Sequence, residues 1–489
     1  MAIIGEKITL DKTLVGNIAR NQMESKMELT TKGALYVGTG DTNSVIPDGG
    51  GKAVPIPITS HIAPNSASDD GKVLVADSNS EVGWIIEECP KATTATTAEK
   101  AAGYSQGGEI EAELNTIKTQ LAVLEALVNV KKAKIYGVDK VGSENPDVLV
   151  RTDDAVGLNF TTNQAPTGYD EITSDFDNCY PWCDIEEVTD DFENVFIKIP
   201  KFYSKITKNS DGTYLHQLSG IKRPGFDTLF KVGNREIDYV MVGKYEGSGS
   251  SSRVYSKWNQ TVLTKLTLDD YRTACRAYGE GYQQYDFLID LIIKELWLVE
   301  MKTTNCQSIM AGYTDGDKAI VTGATHYVKT PSGSNGRGDD GKAACKYRGI
   351  ENLWGNIQTW CDGISFDNRS VYVCTDPTSY KTGETTAPYV HQGQRPQNDG
   401  YVKKVEVLDA SHTQNSLIQY ATEAVPYDQG GRTTTYFCDY CSEALAGVTL
   451  VVGGYFRSSG TAGLWCWDGS YGSSTSNDLT GGRLCYKPL

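Results

Sequence analysis

VVGGYFRSSGTAGLWCWDGSYGSSTSNDLTGGRLCY, residues 451 to 486, is the stretch around which the 489-residue chain reads as organised. Glycine pairs stand near its two ends, Gly453-Gly454 and Gly481-Gly482, and its middle is built from Ser, Thr, Gly, Tyr and Trp. Tyr and Trp offer large, stiff, amphipathic contact area, while Ser, Gly and Asn adapt their hydrogen bonding, as in antibody paratopes. From Tyr455 to Asp478 neither a helical nor a strict two-residue period runs, which predicts a loop pair held by short strands. Loops on a rigid scaffold are where recognition concentrates. The competing reading is a Gly/Ser-rich surface meander with a few buried aromatics.

Tyr455, Arg457, Ser459, Thr461, Trp465, Trp467, Asp468, Ser470, Tyr471, Asn477 and Asp478 lie between the glycine pairs and belong to paratope-like residue types, so they are the candidate exposed, ligand-binding positions. Aromatics and Arg dominate binding hot spots, so Trp467, Tyr471, Tyr455 and Arg457 are expected to carry most of the energy. The closing Gly482-Arg483-Leu484 is expected to be scaffold, because the chain must return to the core there and a buried Arg483 needs a partner.

Gly453-Gly454, the Leu464-Trp465 region and Gly482-Arg483-Leu484 resemble the C-terminal variable region of diversity-generating retroelement proteins, which have the C-type lectin fold in its formylglycine-generating-enzyme-like form. Upstream, Gly355-Asn356-Ile357-Gln358-Thr359-Trp360-Cys361-Asp362 is similar to that superfamily's Gly-Asn-Val-Trp-Glu-Trp pattern, with Gln358 and Thr359 in place of the first Trp and the Glu. The resemblance covers about the last 300 residues and implies an α+β fold rather than a chemistry. It also implies that the eleven candidates are diversified positions.

Bulk properties narrow the partner. The length suggests two to four domains. A net charge of −16 argues against a phosphate-binding groove and against electrostatic adhesion to anionic surfaces. No nucleic acid is expected, and any partner must be held by shape, aromatics and hydrogen bonds. No apolar stretch is long enough to span a bilayer, and the N-terminus, MAIIGEKITLDKTL, reads as no secretion signal. The 12 Cys are scattered and read mainly as reduced, buried thiols. Cys179/Cys183 and Cys438/Cys441 have spacings that four-thiolate zinc sites use, but the pairs lie far apart and no His adjoins them. No metal or other cofactor is expected.

Along the chain, residues 1–90 read as a β-rich module of short strands and turns such as Pro47-Asp48-Gly49-Gly50. Asp70 to Ala76, followed by Val82-Gly83-Trp84-Ile85, resembles a strand unit of phage tail-fibre and baseplate proteins. Residues 91–108 form a low-complexity Ala/Thr/Gly linker. In residues 109–130, Ile110, Leu114, Ile117, Leu121, Leu124 and Val128 alternate spacings of four and three, a heptad seam with Leu at a and Ile at d. That choice favours three or four strands over two. The helix would be about 28 Å long, marginal alone. The competing reading is an amphipathic helix packed on its own domain.

Residues 131–175 read as a β connector, and residues 176–489 as the lectin-like domain that the resemblance implies. Pro200, between Val195-Phe196-Ile197 and Phe202-Tyr203, marks an edge strand or a break. Leu268, Tyr271, Ala274, Cys275 and Tyr278 follow helical spacing up to Gly279-Glu280-Gly281, and Phe287 to Val299 is a second helical run. Arg337-Gly338-Asp339 sits in a Gly-rich loop, a tripeptide that arises easily by chance.

The oxidase branch of the resembled fold uses two Cys five residues apart. Counted from Gly453 these positions are Ser458 and Gly463, which cannot act as thiolates. The five His sit in unrelated contexts, so no catalytic residue is assigned. The resulting expectation is a phage tail-fibre or tail-tip receptor-binding protein of the virion. It would bind a host cell-surface protein or glycan through the lectin-like domain and other tail proteins through its N-terminal region, as a homotrimer without membrane insertion. The enzyme alternative is an envelope glycan depolymerase using a pair of the plentiful carboxylates. A third class, a bacterial surface-displayed diversified protein, calls for an export signal.

Overall fold

The structure, a computed structural model, describes residues 25–29, 34–39, 56–57, 72–76, 84–88, 114–121, 129–164, 168–336, 340–395, 398–405, 426–444 and 446–489. The linker at 91–108, Pro47 to Gly50, Arg337-Gly338-Asp339 and the seam residues Ile110, Leu124 and Val128 lie outside them. The chain divides into two units, 1–122 and 123–489.

In the first unit, Ser25–Leu29, Ala34–Thr39 and Ile56–Pro57 form a three-stranded sheet. Lys72–Ala76 pairs antiparallel with Trp84–Glu88, the strand unit read from the sequence. Residues 114–121 are helical, and Leu114, Ile117 and Leu121 of the heptad seam are exposed there.

The second unit is mostly β-sheet with few helices among the described residues. Its centre is the helix Phe287–Met301, capped by Asp286 accepting from the Ile289 N–H at 3.0 Å. A helix apolar on all sides must be buried on all sides, and every residue of this one is. The polar groups it carries inward therefore have partners: Lys294 pairs with Asp290 at 2.6 Å and Glu300 with Arg348, and Glu295 lies 3.0 Å from the His216 ring nitrogen. A shorter helix, Leu268–Arg276, is capped by Thr267 and buries Leu268, Tyr271, Ala274 and Cys275.

Two sheets matter for the stretch at 451–486. A seven-stranded sheet runs Pro426–Gln429, Gly400–Val405, Tyr440–Ser442, Gly463–Tyr471, Thr449–Gly453, Gln358–Cys361, Thr480–Gly481. A five-stranded sheet runs Glu186–Thr189, Val195–Pro200, Tyr239–Gly243, Leu484–Tyr486, Tyr282–Gln284. The chain's last strand thus lies inside a sheet built by residues more than a hundred positions upstream. Val195–Pro200 is an inner strand, and Pro200 marks a break, because Tyr203–Lys208 continues in another sheet.

The expected connector at 131–175 is not set apart from the domain expected to begin at 176. Ile135–Val141 and Val150–Asp153 share a sheet with Tyr203–Lys208 and Tyr214–Ser219, and Phe160–Gln164 and Asp170–Ser174 share one with Ser332–Ser334. A boundary at 176 would cut both sheets, and Phe176, Trp182 and Tyr136 pack as one aromatic group across it.

Candidate functional site

The stretch at 451–486 folds into a strand pair and two loops. Thr449–Gly453 pairs antiparallel with Gly463–Tyr471, and the register slips between Val452 opposite Trp467 and Gly453 opposite Gly463, so the longer strand bulges at 464–466. The first loop spans 454–462 and the second spans 472–479.

Gly463–Tyr471 is the middle strand of seven and is buried on both faces from Gly463 to Trp467, and this overturns part of the sequence reading. Trp465 is 4% exposed and Trp467 is 2% exposed, so neither belongs to an exposed surface. Trp465 packs on Phe437 with ring centroids 5.6 Å apart, and Trp467 meets Phe366 edge-on at 5.2 Å. A strand buried on both faces reads as a continuous apolar run, which Leu464-Trp465-Cys466-Trp467 is. Beside it the buried Asp439 carboxylate accepts the Trp465 N–H at 2.8 Å, and its carboxyl is pushed well above the usual range by burial. A Cβ at Gly463 would sit 2.1 Å from Asp439 Oδ1, so a side chain there is excluded.

The other nine candidates lie on or beside the loops. Arg457, Ser459 and Asp478 are exposed, and Tyr455, Thr461, Asp468, Ser470, Tyr471 and Asn477 are half-buried. One group of these gathers around Gln358, which sequence reasoning did not single out. The Gln358 Oε1 accepts the Tyr471 hydroxyl at 2.9 Å and the Thr480 hydroxyl at 3.3 Å, while its Nε2 reaches Asp468 Oδ2 at 3.5 Å. Asp468 Oδ1 accepts both the Ser470 N–H at 3.0 Å and the Ser470 hydroxyl at 2.5 Å. Burial raises the Asp468 carboxyl above its ordinary range, opposed by those Ser470 bonds. The signal for Gln358 was available: it occupies the Trp position of the Gly355 to Asp362 pattern, where a polar residue implies a polar neighbour.

The first loop presents a second group. Arg457 stacks over Phe456 at 5.1 Å and donates to the Asp317 carbonyl at 2.6 Å. Thr461 Oγ1 donates to the Ser458 carbonyl at 2.5 Å, and Ser458 Oγ accepts the Tyr455 N–H at 2.9 Å.

Both loops are anchored through their main chain to segments outside the stretch. Phe456 N–H donates to the Asn356 carbonyl at 3.0 Å, Ser459 N–H to Thr314 at 2.8 Å, and Gly316 N–H to Phe456 at 2.6 Å. In the second loop the Asn477 carbonyl accepts from Lys265 N–H at 2.8 Å and the Leu479 carbonyl from Gln358 N–H at 2.9 Å. The two sequence patterns meet directly, Gly355 N–H donating to the Gly453 carbonyl at 3.2 Å.

The chain is similar to the Major Tropism Determinant U1, I1 and M1 variants. Identity is 11%, 10% and 11%, each match covers 73% of this chain and 72% of that one, and the TM-score is 0.25 in each case. No family model and no curated protein matches the sequence.

The two positions counted from Gly453 are both taken up by local contacts. Ser458 Oγ is engaged with the Tyr455 N–H, and Gly463 lies against Asp439. The eleven described cysteines are free, all but Cys183 buried, and no group of three or more His, Cys, Asp or Glu is placed to hold a metal among the described residues. No helix among the described residues is long and apolar enough to cross a membrane.

Proposed function

We propose that the chain is a receptor-binding protein of phage tail-fibre type, whose C-terminal unit is a C-type lectin-like scaffold displaying a diversified surface on the loops at 454–462 and 472–479. The observation that carries this reading is how the loops are held. Their backbones are fixed by main-chain hydrogen bonds from residues outside the stretch, so the side chains of Ser459 and Asp478 can change without loss of the bonds that shape the loop, and a change at Arg457 loses one side-chain bond, to the Asp317 carbonyl, while the main-chain bonds stay. A surface meander has no need of such anchoring. The similarity of Gly355 to Asp362 and of Gly453-Gly454 to the retroelement pattern supports the same reading.

The diversified set is narrowed to Tyr455, Arg457, Ser459, Thr461, Asp468, Ser470, Tyr471, Asn477 and Asp478. The ligand is a host cell-surface protein or glycan, the N-terminal unit attaches to other virion proteins, and the protein acts as a binder rather than a catalyst. Incubation with host envelopes releases no reducing sugar on this reading, whereas a depolymerase releases it steadily.

The decisive test is host adsorption. Single Tyr455→Ala, Arg457→Ala and Tyr471→Ala changes should each weaken binding by about 2 kcal/mol where the residue is central, with the melting temperature near that of the parent for the first two and lowered for Tyr471→Ala, whose ring packs on Trp360. If all three bind like the parent, the receptor site lies elsewhere.

A further inference from the structure

A second group of exposed aromatics lies outside the variable stretch, on the segment that supports it. Trp258 is 47% exposed and Tyr327 is 64% exposed. His326, also exposed, lies against the indole with ring centroids 5.1 Å apart and planes 33° apart, and it meets Tyr327 edge-on at 5.0 Å. The exposure of Trp258 is what remains after His326 has packed on it.

The group is rigidly held. Thr322 Oγ1 donates to the Lys257 carbonyl at 2.7 Å and accepts the Gln260 N–H at 2.9 Å, and the Thr322 carbonyl accepts the Asn259 N–H at 2.9 Å. On the other side of Thr322, the buried Glu351 carboxylate accepts the Gly323 N–H at 2.6 Å and both the N–H and hydroxyl of Thr325, at 2.8 and 2.6 Å. Gly323 has φ +90°, and a Cβ there would lie 1.9 Å from Trp258 Cδ1, so only glycine lets the segment close on the indole. An indole that is both fixed and open to solvent is preorganised for a ligand, because its ordering cost is met in folding.

We propose that Trp258, His326 and Tyr327 form a stacking subsite for one neutral hexopyranose ring of a surface glycan. Fully buried aromatics cover about 150–250 Å² each, so two partly open rings offer an area suited to one sugar. A protein interface needs about 800 Å² per partner, and the residues around the platform, Asn259, Gln260 and Lys329, are exposed and polar. The negative face of an aromatic ring attracts the weakly positive axial C–H bonds of a pyranose. The polar neighbours and the Tyr327 hydroxyl supply hydrogen bonds at the rim. The chain's net charge of −16 favours a neutral sugar over an acidic one. The segment from Thr314 to Ile320, which holds the first loop, runs directly into Val321–Tyr327, so this fixed subsite adjoins the support of the variable face. The inference does not rest on the receptor-face reading, since the platform shares no residue with it.

Saturation-transfer NMR on the full chain tests this, with the methyl glycosides of glucose, galactose, N-acetylglucosamine and rhamnose at millimolar concentration. At least one should receive saturation on the C–H protons of a single ring face. Trp258→Ala and Tyr327→Ala should each weaken that affinity about tenfold or more, the loss of one hot-spot aromatic. Val156→Ser, at an exposed position outside both surfaces, should leave it unchanged, and host adsorption of the Trp258 and Tyr327 variants read beside sugar binding separates failure of this subsite from failure of the loop surface. Tyr327 is open enough that its truncation should not unfold the protein, so it keeps the test valid if Trp258→Ala misfolds, and Trp258→Phe should retain part of the signal. The proposal is overturned if no glycoside receives saturation, if both alanine variants bind like the parent, or if Trp258→Ala instead abolishes capture of a host envelope protein while sugar binding is unchanged.

Discussion

Arg483 shows how this fold treats a buried charge. Its Nη1 donates to the carbonyls of Gly243 and Lys244 at 2.9 and 3.3 Å, and its Nη2 to those of Glu351 and Asn352 at 2.6 and 3.2 Å. The guanidinium thus ties the end of the chain to two distant segments, and its field partly offsets the buried Glu246 carboxylate. Arg483→Ala should lower stability by about 3 kcal/mol, because four carbonyls and a carboxylate lose their counter-charge together. Binding per folded molecule should be unchanged. A lost ligand response at an unchanged melting temperature would make Arg483 part of the binding surface instead. Glu246 itself is enclosed with Asn352 and Asn356 Nδ2 donating to Oε2 at 2.9 and 2.6 Å, and its Oε1 has no partner among the described residues. Burial, chiefly, pushes its carboxyl up from 4.5 to about 7. Between those values the unfolded chain has lost this proton and the folded chain keeps it, so Glu246 makes stability fall as pH rises through that window and adds no slope above it. Glu246→Gln copies the neutral acid, with its amide placed at the free Oε1 position. Its advantage over the parent in denaturant midpoint should be largest at pH 8 and vanish near pH 4.5. An advantage that stays constant over that range would show that Glu246 titrates normally.

At the scale of elements, the strand Gly463–Tyr471 and its flanking loops should respond oppositely to substitution. Trp467→Ala removes a ring packed between Phe366 and the main chain at Gly469, and should cost about 3–5 kcal/mol of stability. Ser459→Ala or Asp478→Ala, at exposed loop positions, should stay within about 0.5 kcal/mol. Equilibrium urea unfolding of the whole chain reads both. A Trp467→Ala protein with the parent midpoint would contradict its burial. The same strand shows where sequence reasoning reached its limit. The helices at Leu268–Arg276 and Phe287–Met301 were legible from their apolar runs and spacing, and the structure adds Thr267 and Asp286 as their caps. Trp465 and Trp467 were misplaced because aromatic composition fits a paratope and a core strand equally well, and only pairing with Tyr440–Ser442 and Thr449–Gly453 decides between them. The glycine pairs and Gly355-Asn356 were read as parts of one pattern, and the structure adds that Gly355 and Gly453 meet. Gln358 was legible as a departure from the pattern while its partners were not, and the Trp258 platform stayed hidden because its partners lie far along the chain and single-sequence periodicity carries no long-range information.

For the whole molecule, the proposed receptor-binding role raises the question of how a weak surface could hold a host cell. The helical residues 114–121 expose Leu114, Ile117 and Leu121 on one chain, three apolar side chains spaced as a heptad seam. On the proposed fibre reading copies of the same helix cover this seam, three of them, since Leu at a with Ile at d disfavours the two-stranded arrangement. Sedimentation equilibrium of the full chain should therefore return three times the mass of one chain, and Leu114→Glu with Leu121→Glu should shift it toward monomer by placing like charges in the seam. The adhesion consequence comes from linkage. Three tethered sites raise apparent affinity by about 10² to 10⁴ when they can engage together, so each loop surface can bind weakly. A loop variant such as Tyr471→Ala should then lose more binding in the Leu114→Glu/Leu121→Glu background than in the parent, because the trimer compensates for a weakened site and a monomer cannot. If the full-length parent sediments as a stable monomer, the fibre reading fails at this scale, while the anchored loops would still mark the binding surface of a monovalent protein.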